Sequence, residues 1–121
     1  MKEKIINFQE KFSKFSDHWT PRVIAEMNDY QFKLVKVEGE FVWHNHPETD
    51  EVFVVIEGNL SIELPDQTIN LQAGEMFVVP RGVEHKPIAE NECQVLLIEP
   101  KGIVNTGSTK SDLIAENDVW I

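Results

Sequence analysis

Three of the four histidines lie in polar stretches beside strand-like sequence, where they could bind a metal ion. His44 and His46 are two residues apart, so in an extended chain both imidazoles share one face. Glu51 begins a strand-like run on an otherwise apolar face, where a buried carboxylate needs a partner. His85 lies at the start of a later strand-like run. Three imidazoles and one carboxylate suit one divalent transition metal ion (Mn, Fe, Ni, Zn, Co or Cu), and these residues do not select among them.

The same residues allow a simpler interpretation. A His-x-His pair occurs by chance, and residues 44–50 could form a solvated polar loop with Glu51 as an ordinary surface carboxylate. The remaining histidine, His18, lies beside Trp19 and is expected to pack or to end a helix rather than to be a fifth ligand. Cys93 opens an apolar run and is expected to pack as a small hydrophobic residue.

The elements that must position these side chains are short strands. From residue 22 onward, runs rich in Val, Ile, Phe and Leu alternate with turn residues, which is typical of an antiparallel sandwich or barrel. Gly39 predicts a bulge or bend, and Gly58-Asn59 predicts a tight hairpin. The predicted strands cover residues 22–27, 31–43, 52–57, 60–64, 68–71, 76–79, 85–89 and 94–99. Lys33 lies in the second of these strands, where alternation with Gln31 and Val35 could turn it inward, but we expect its charged side chain in solvent.

The two ends of the chain differ from the strand region. Apolar residues at helical spacing predict an amphipathic helix over residues 3–15, which must end before Thr20-Pro21. The chain therefore divides into an N-terminal helical segment (1–18), a barrel (19–100) and a tail (101–121). Because the tail ends in Val119-Trp120-Ile121, we expect it to lie on the barrel or on a partner subunit.

Composition excludes several classes of function. The chain has 121 residues, enough for one domain. Its net charge of −10 argues against nucleic acid and anionic membranes as partners. No apolar run approaches the roughly 20 residues of a membrane helix, and the N-terminus has no signal-peptide pattern. With one cysteine and therefore no internal disulfide, we expect a cytoplasmic protein.

The spacing of the candidate ligands resembles the two motifs of the cupin family. In the first motif, His44-Asn45-His46 is followed by four residues, Glu51, six residues and Gly58. In the second, Gly74 is followed by five residues, Pro80-Arg81-Gly82, two residues and His85. The resemblance covers residues 39–89. The chain departs from the family pattern in the spacing before His44 and at Ala89, and neither departure removes a ligand position.

This resemblance implies an all-β fold, an antiparallel jelly-roll β-barrel, with His44, His46, Glu51 and His85 as the ligands of one metal ion. It also implies a small-molecule ligand or substrate and a homodimer. Short chains of this kind are often labelled as related to mannose-6-phosphate isomerase. The family's chemistry leaves three possibilities open: a sugar-type isomerase or epimerase, a dioxygenase, or a non-catalytic binding or sensing protein with a structural metal. No catalytic residue beyond the ligands is identified.

Overall fold

The computed structural model describes residues 4–121, which form one short helix and seven strands. They are α1 (Phe8–Phe12), β1 (Arg22–Met27), β2 (Tyr30–Glu40), β3 (Glu51–Glu57), β4 (Asn59–Glu63), β5 (Thr68–Gln72), β6 (Met76–Val79) and β7 (Lys86–Pro100). No helix in this range is long and apolar enough to cross a membrane.

The strands pair antiparallel in the order β1-β2-β7-β3-β6, and β4 joins both β7 and β5. This arrangement confirms the predicted antiparallel jelly-roll fold. The shared strand is β7, whose first part pairs with β4 and whose second part pairs with β3. The strand β7 therefore connects the two halves of the barrel.

The prediction of two separate strands over residues 85–99 was wrong, because the polar residues 90–92 do not form a turn. They lie within β7 as a bulge: Val37 pairs with Cys93 and Gly39 with Ala89, so one residue of β2 lies opposite three of β7. Gly39 has a φ of +83° at this irregularity, as its predicted role in a bulge or bend requires. Exposed bulge residues have the same polar composition as a turn, which explains the error.

The predicted Gly58-Asn59 hairpin was also wrong, because β3 and β4 do not pair with each other. Gly58 instead lies where the chain passes from β3 to β4, with a φ of +95°. A Cβ atom at this position would lie 3.1 Å from the Cα atom of Cys93 and 3.1 Å from the carbonyl oxygen of Glu92. Glycine is thus required both by its φ and by the close approach of β7.

Alternation along the strands creates two apolar clusters. The larger fills the barrel and includes Phe41, Phe53, Leu60 and Val95. The smaller lies on the outer face of the sheet, where α1 covers Leu34 and other outward residues.

The helix is shorter than the predicted 3–15, and Glu3 lies outside the described residues. Asn7 caps it by accepting a hydrogen bond from the Glu10 backbone N–H, which explains the late start. Ile5 is exposed, whereas Phe12 and Phe15 are buried against the sheet. The aromatic residues of the pattern pack as their spacing suggests, although only one turn is helical.

The C-terminal tail lies along the edge of the same barrel. Val23 in β1 accepts a backbone hydrogen bond from Ile121 and donates one to Val119. The Lys11 ammonium donates to the carbonyl oxygen of Ile121, so the tail bridges β1 and the helix.

We expect Gly58→Ala to destabilise the protein more than Gly74→Ala. Both glycines have positive φ, so each substitution costs about 1–2 kcal/mol of backbone strain. A methyl group at Gly74 meets no atom within 4 Å, whereas one at Gly58 crowds β7 and costs about 1–3 kcal/mol more. Urea unfolding of both variants measures the difference in the free energy of unfolding. Equal destabilisation would contradict the steric role of the close contact between Gly58 and β7.

Candidate metal centre

The four candidate residues converge inside one end of the barrel. One ligand atom from each of His44, His46, Glu51 and His85 lies within 4.8 Å of the others, and all four side chains are buried. Oε1 of Glu51 is 3.3 Å from Nε2 of His85 and 3.4 Å from Nε2 of His46. The sequence-predicted site residues therefore form one compact cluster that could hold a metal ion.

The backbone fixes the positions of His44 and His85 directly. Each residue's N–H donates to the other's carbonyl oxygen, at 2.9 and 3.1 Å, so the two form a bridge between separate segments. The ring centroids are 4.2 Å apart. A third backbone bond, from the Gly82 N–H to the carbonyl oxygen of His46, anchors the turn before His85.

Hydrogen bonds also orient the imidazole rings. Nδ1 of His44 lies 2.8 Å from the carbonyl oxygen of Val42, and Nδ1 of His85 lies 2.9 Å from that of Val83. A carbonyl only accepts, so each Nδ1 carries a proton and each Nε2 is the ring nitrogen left to face the cluster. Metal-bound histidines have the same arrangement, in which the ring nitrogen that does not bind the metal donates to a fixed acceptor.

The buried Nε2 of His46 has no hydrogen-bond partner among the described residues. Around it, one ligand atom from each imidazole and from the Glu51 carboxylate lies within 4.8 Å of the others. Converging acceptors repel unless a cation lies among them. Three imidazoles and one carboxylate therefore fit a divalent transition metal ion.

Charge in the cluster is set by burial and by the neighbouring ligands. Burial, followed by the charge of His85, lowers the pKa of His44 to about 4, so the His44 imidazole is neutral at physiological pH. Burial alone would raise the pKa of Glu51, but its contacts with His46 and His85 outweigh burial and hold that pKa well below its usual range. His44 and Glu51 are therefore in the protonation states that a metal ion requires.

A small apolar chamber adjoins His44 and Glu51 inside the barrel. Its volume is about 40 Å³, and a water-sized group needs about 10–15 Å³. Its walls are aromatic and aliphatic side chains: Trp19, Pro21, Val35, Val37, Phe41, Phe53, Leu60, Pro87, Val95 and Leu97. Besides the two cluster residues, the polar group in the lining is Asn105.

A wider groove, of about 290 Å³, adjoins His46 on another side. One wall is the loop after His46, and the other is residues 102–108 of the tail. The tail is tied down here, because the Asn105 side chain donates to the carbonyl oxygens of Trp19 and Leu113. The cluster thus lies between a small apolar chamber and a wider groove.

Most neighbouring residues lie where alternation places them. Trp43 is exposed and points away from the cluster, whereas Phe53 lies inside the barrel near the His85 ring.

Cys93 is fully buried, and burial raises the pKa of its thiol to about 11. His18 lies outside the cluster and contacts Glu92. The Arg81 side chain is exposed, and its backbone N–H donates to Asp50.

Sequence reasoning missed several residues around the site. Lys33 was expected in solvent, which was wrong: it is buried and paired with Glu99. Alternation with the buried Val95 and Leu97 would have placed Glu99 inside the barrel. Trp19 is also buried, stacks on Phe41 and lines the chamber. Its positive φ of 64° had no signal in the sequence.

Comparison with known proteins agrees with this geometry. Residues 32–99 match the cupin domain family. The chain is 69% identical to a cupin-2 domain containing protein from Shewanella frigidimarina, with a TM-score of 0.80 over 80% of this chain and 95% of that one. It is 33% identical to protein NMB1881 from Neisseria meningitidis, with a TM-score of 0.74 over 81% of this chain and 100% of that one. It is also 38% identical, over 64% of each chain, to the uncharacterized protein YdbB of Bacillus subtilis.

We expect the metal-free protein to lose stability as the pH falls from 7 to 4.5. The pKa of His44 is 6.5 in the unfolded chain and about 4 in the folded one, so the unfolded chain takes up the proton first. The protonation of His44 lowers the free energy of unfolding by roughly 2.5 kcal/mol at pH 4.5. Urea unfolding in chelator across this range measures it. His44→Gln has no such group and should lose less stability; an unchanged pH dependence in that variant would contradict the assignment.

Proposed function

The chain belongs to the cupin family, and on that basis we propose that it is a metal-dependent enzyme acting on a small oxygenated molecule. The observation that carries this proposal is the buried cluster of His44, His46, Glu51 and His85 with a cavity on two sides. A divalent ion held by these residues would supply Lewis acidity and, if redox-active, electron transfer to dioxygen.

The chamber favours one class of substrate over the others considered. Among the described residues that line it there is no Lys or Arg, which a sugar phosphate or a uronate would need as a partner. Its volume suits dioxygen or a short alkyl group rather than a hydroxylated ring. The chain's own contribution would be to hold the apolar end of a substrate against residues such as Phe53 and to exclude water.

We therefore favour dioxygen-dependent oxidation of a small, uncharged substrate with an enol, phenol or thiol group over isomerisation or epimerisation of a sugar. The wider groove beside His46 would admit the body of such a substrate, while the chamber would take dioxygen or a short apolar end. The acidic surface, with a net charge of −10, also disfavours anionic substrates at long range.

The metal assignment predicts that His44→Gln and His85→Gln purify with far less metal than the unmodified chain, which should hold about one ion. Each variant removes an imidazole from the cluster without adding charge. His18→Gln is the matched control, because His18 lies outside the cluster. Elemental analysis of protein made without a histidine tag measures the content. Equal content in all four proteins would refute the assignment.

The oxidation proposal predicts oxygen uptake by protein loaded with Fe²⁺, Ni²⁺ or Cu²⁺ and given diketones, catechols or thiols. Uptake should match substrate loss, disappear in His44→Gln and persist in His18→Gln. If no form consumes oxygen while a Zn²⁺ or Mn²⁺ form isomerises a sugar, the isomerase alternative is correct. If substrates bind without turnover, the protein is a non-catalytic binding cupin.

We also propose that the chain forms a homodimer through the β6 edge of the sheet. Among the described strands, β6 pairs only with β3, and its Met76 and Val78 are exposed. An open apolar edge favours pairing with a second copy. Light scattering should give twice the 13.9 kDa chain mass, and Met76→Lys/Val78→Lys should give a monomer. Ile114→Lys, another exposed apolar position, should remain dimeric; a monomeric unmodified chain would refute the proposal.

A further inference from the structure

Trp19 has a backbone conformation that its side chain disfavours. Of the described non-glycine residues with a positive φ, which are Trp19, Asn28 and Asp118, Trp19 alone is bulky, and its φ is +64°. Asparagine and aspartate adopt this left-handed region readily, whereas a bulky residue there is strained. Such strain persists only where the surrounding structure enforces it, and it is concentrated at functional sites. Contacts elsewhere in the fold must therefore hold Trp19 in place.

Hydrogen bonds to two parts of the fold enforce this conformation. The Trp19 N–H donates to the carbonyl oxygen of Lys36 at 2.9 Å, and the indole Nε1–H donates to that of Glu38 at 3.0 Å. Both acceptors belong to β2. The Trp19 carbonyl oxygen accepts from Nδ2 of Asn105 in the C-terminal tail at 3.1 Å. The ring is thus fixed to the sheet, and the backbone is fixed to both the sheet and the tail.

The indole continues the chamber wall that leads to the metal cluster. The Trp19 ring stacks on Phe41, with centroids 4.7 Å apart, and the Phe41 ring meets the His44 imidazole edge-on, with centroids 5.2 Å apart. All three residues line the chamber, and Trp19 has the largest side chain among the described lining residues. Because Trp19 is only 9% exposed, its bulk lies inside the barrel. The size of this side chain therefore limits how much open volume remains beside His44.

A residue better suited to this backbone would leave the chamber larger. Glycine or asparagine would adopt the positive φ with less strain, but neither supplies a large apolar wall. With the indole in place, the chamber has a volume of about 40 Å³. That volume is well below the roughly 150 Å³ of an apolar cavity that holds benzene. The strained tryptophan therefore keeps the chamber too small for a ring.

We propose that Trp19 is a specificity-determining residue whose indole restricts the chamber to dioxygen or a short alkyl group. This inference rests on the proposed function, in which the chamber takes dioxygen or the short apolar end of a substrate. A hydrophobic pocket distinguishes substrates by about 10- to 200-fold for one methylene group. Without the indole, an apolar group as large as a benzene ring would reach the His44 imidazole.

Benzene is the probe for the volume that the indole occupies, because an enlarged apolar cavity stays dry and binds it. Titrations use metal-free protein in chelator, so that binding depends on neither a metal ion nor turnover. We expect Trp19→Ala to bind benzene roughly 10-fold more tightly than the unmodified chain. Trp19→Leu keeps an apolar side chain on the same backbone and should show a similar gain, and it covers the case in which Trp19→Ala does not fold.

The matched control is Trp120→Ala, because the Trp120 indole is half-exposed and lies outside the described lining of the chamber. It should bind benzene no more tightly than the unmodified chain. If the folded Trp19 variants show no gain in benzene affinity, or if Trp120→Ala shows the same gain, the inference is overturned.

Turnover separates this inference from the proposed function. In metal-loaded protein that consumes oxygen, both Trp19 variants should raise kcat/KM for a diketone with a long alkyl end, relative to one with a short end, by roughly 10-fold. An unchanged preference also overturns the inference. If benzene binds as expected but no metal-loaded form turns over a substrate, the size limit set by Trp19 stands and the proposed function falls.

Discussion

The burial of the Glu51 carboxylate is the constraint around which this end of the barrel is organised. A carboxylate removed from water is tolerated only with charge or hydrogen-bond compensation. Here the compensating groups come from two distant parts of the chain, one with His44 and His46 and the other with His85. No segment could supply this environment alone, so the site exists only when the barrel is closed.

The fold supplies that closure through backbone contacts more than through side chains. The reciprocal bonds between His44 and His85 join two segments that are otherwise separate, and the long strand β7 connects both halves of the barrel. Gly58 lets the chain cross between those halves in contact with β7. The imidazoles are held by elements whose positions are set independently of any ligand, which is the requirement for a preorganised site.

The sequence was sufficient for features that depend on local periodicity. Alternation predicted β1 and β6 at their observed bounds and the inward direction of Phe53, and motif spacing predicted the four cluster residues. It failed where composition is ambiguous, as in the bulge at residues 90–92, whose polar residues resemble a turn. It also failed for Lys33, because its partner Glu99 lies 66 positions away and only the assembled sheet brings them together.

The C-terminal tail shows that the residues of the cluster and the access to that cluster come from different parts of the chain. The family match ends at residue 99, yet residues 102–108 form one wall of the groove beside His46, and Asn105 lines the chamber. The four cluster residues belong to the shared domain, whereas access to them is shaped by a segment outside that match. Evolution can therefore change what reaches the centre by altering the tail and leave the reactive groups intact. Relatives with the same four ligands need not share a substrate.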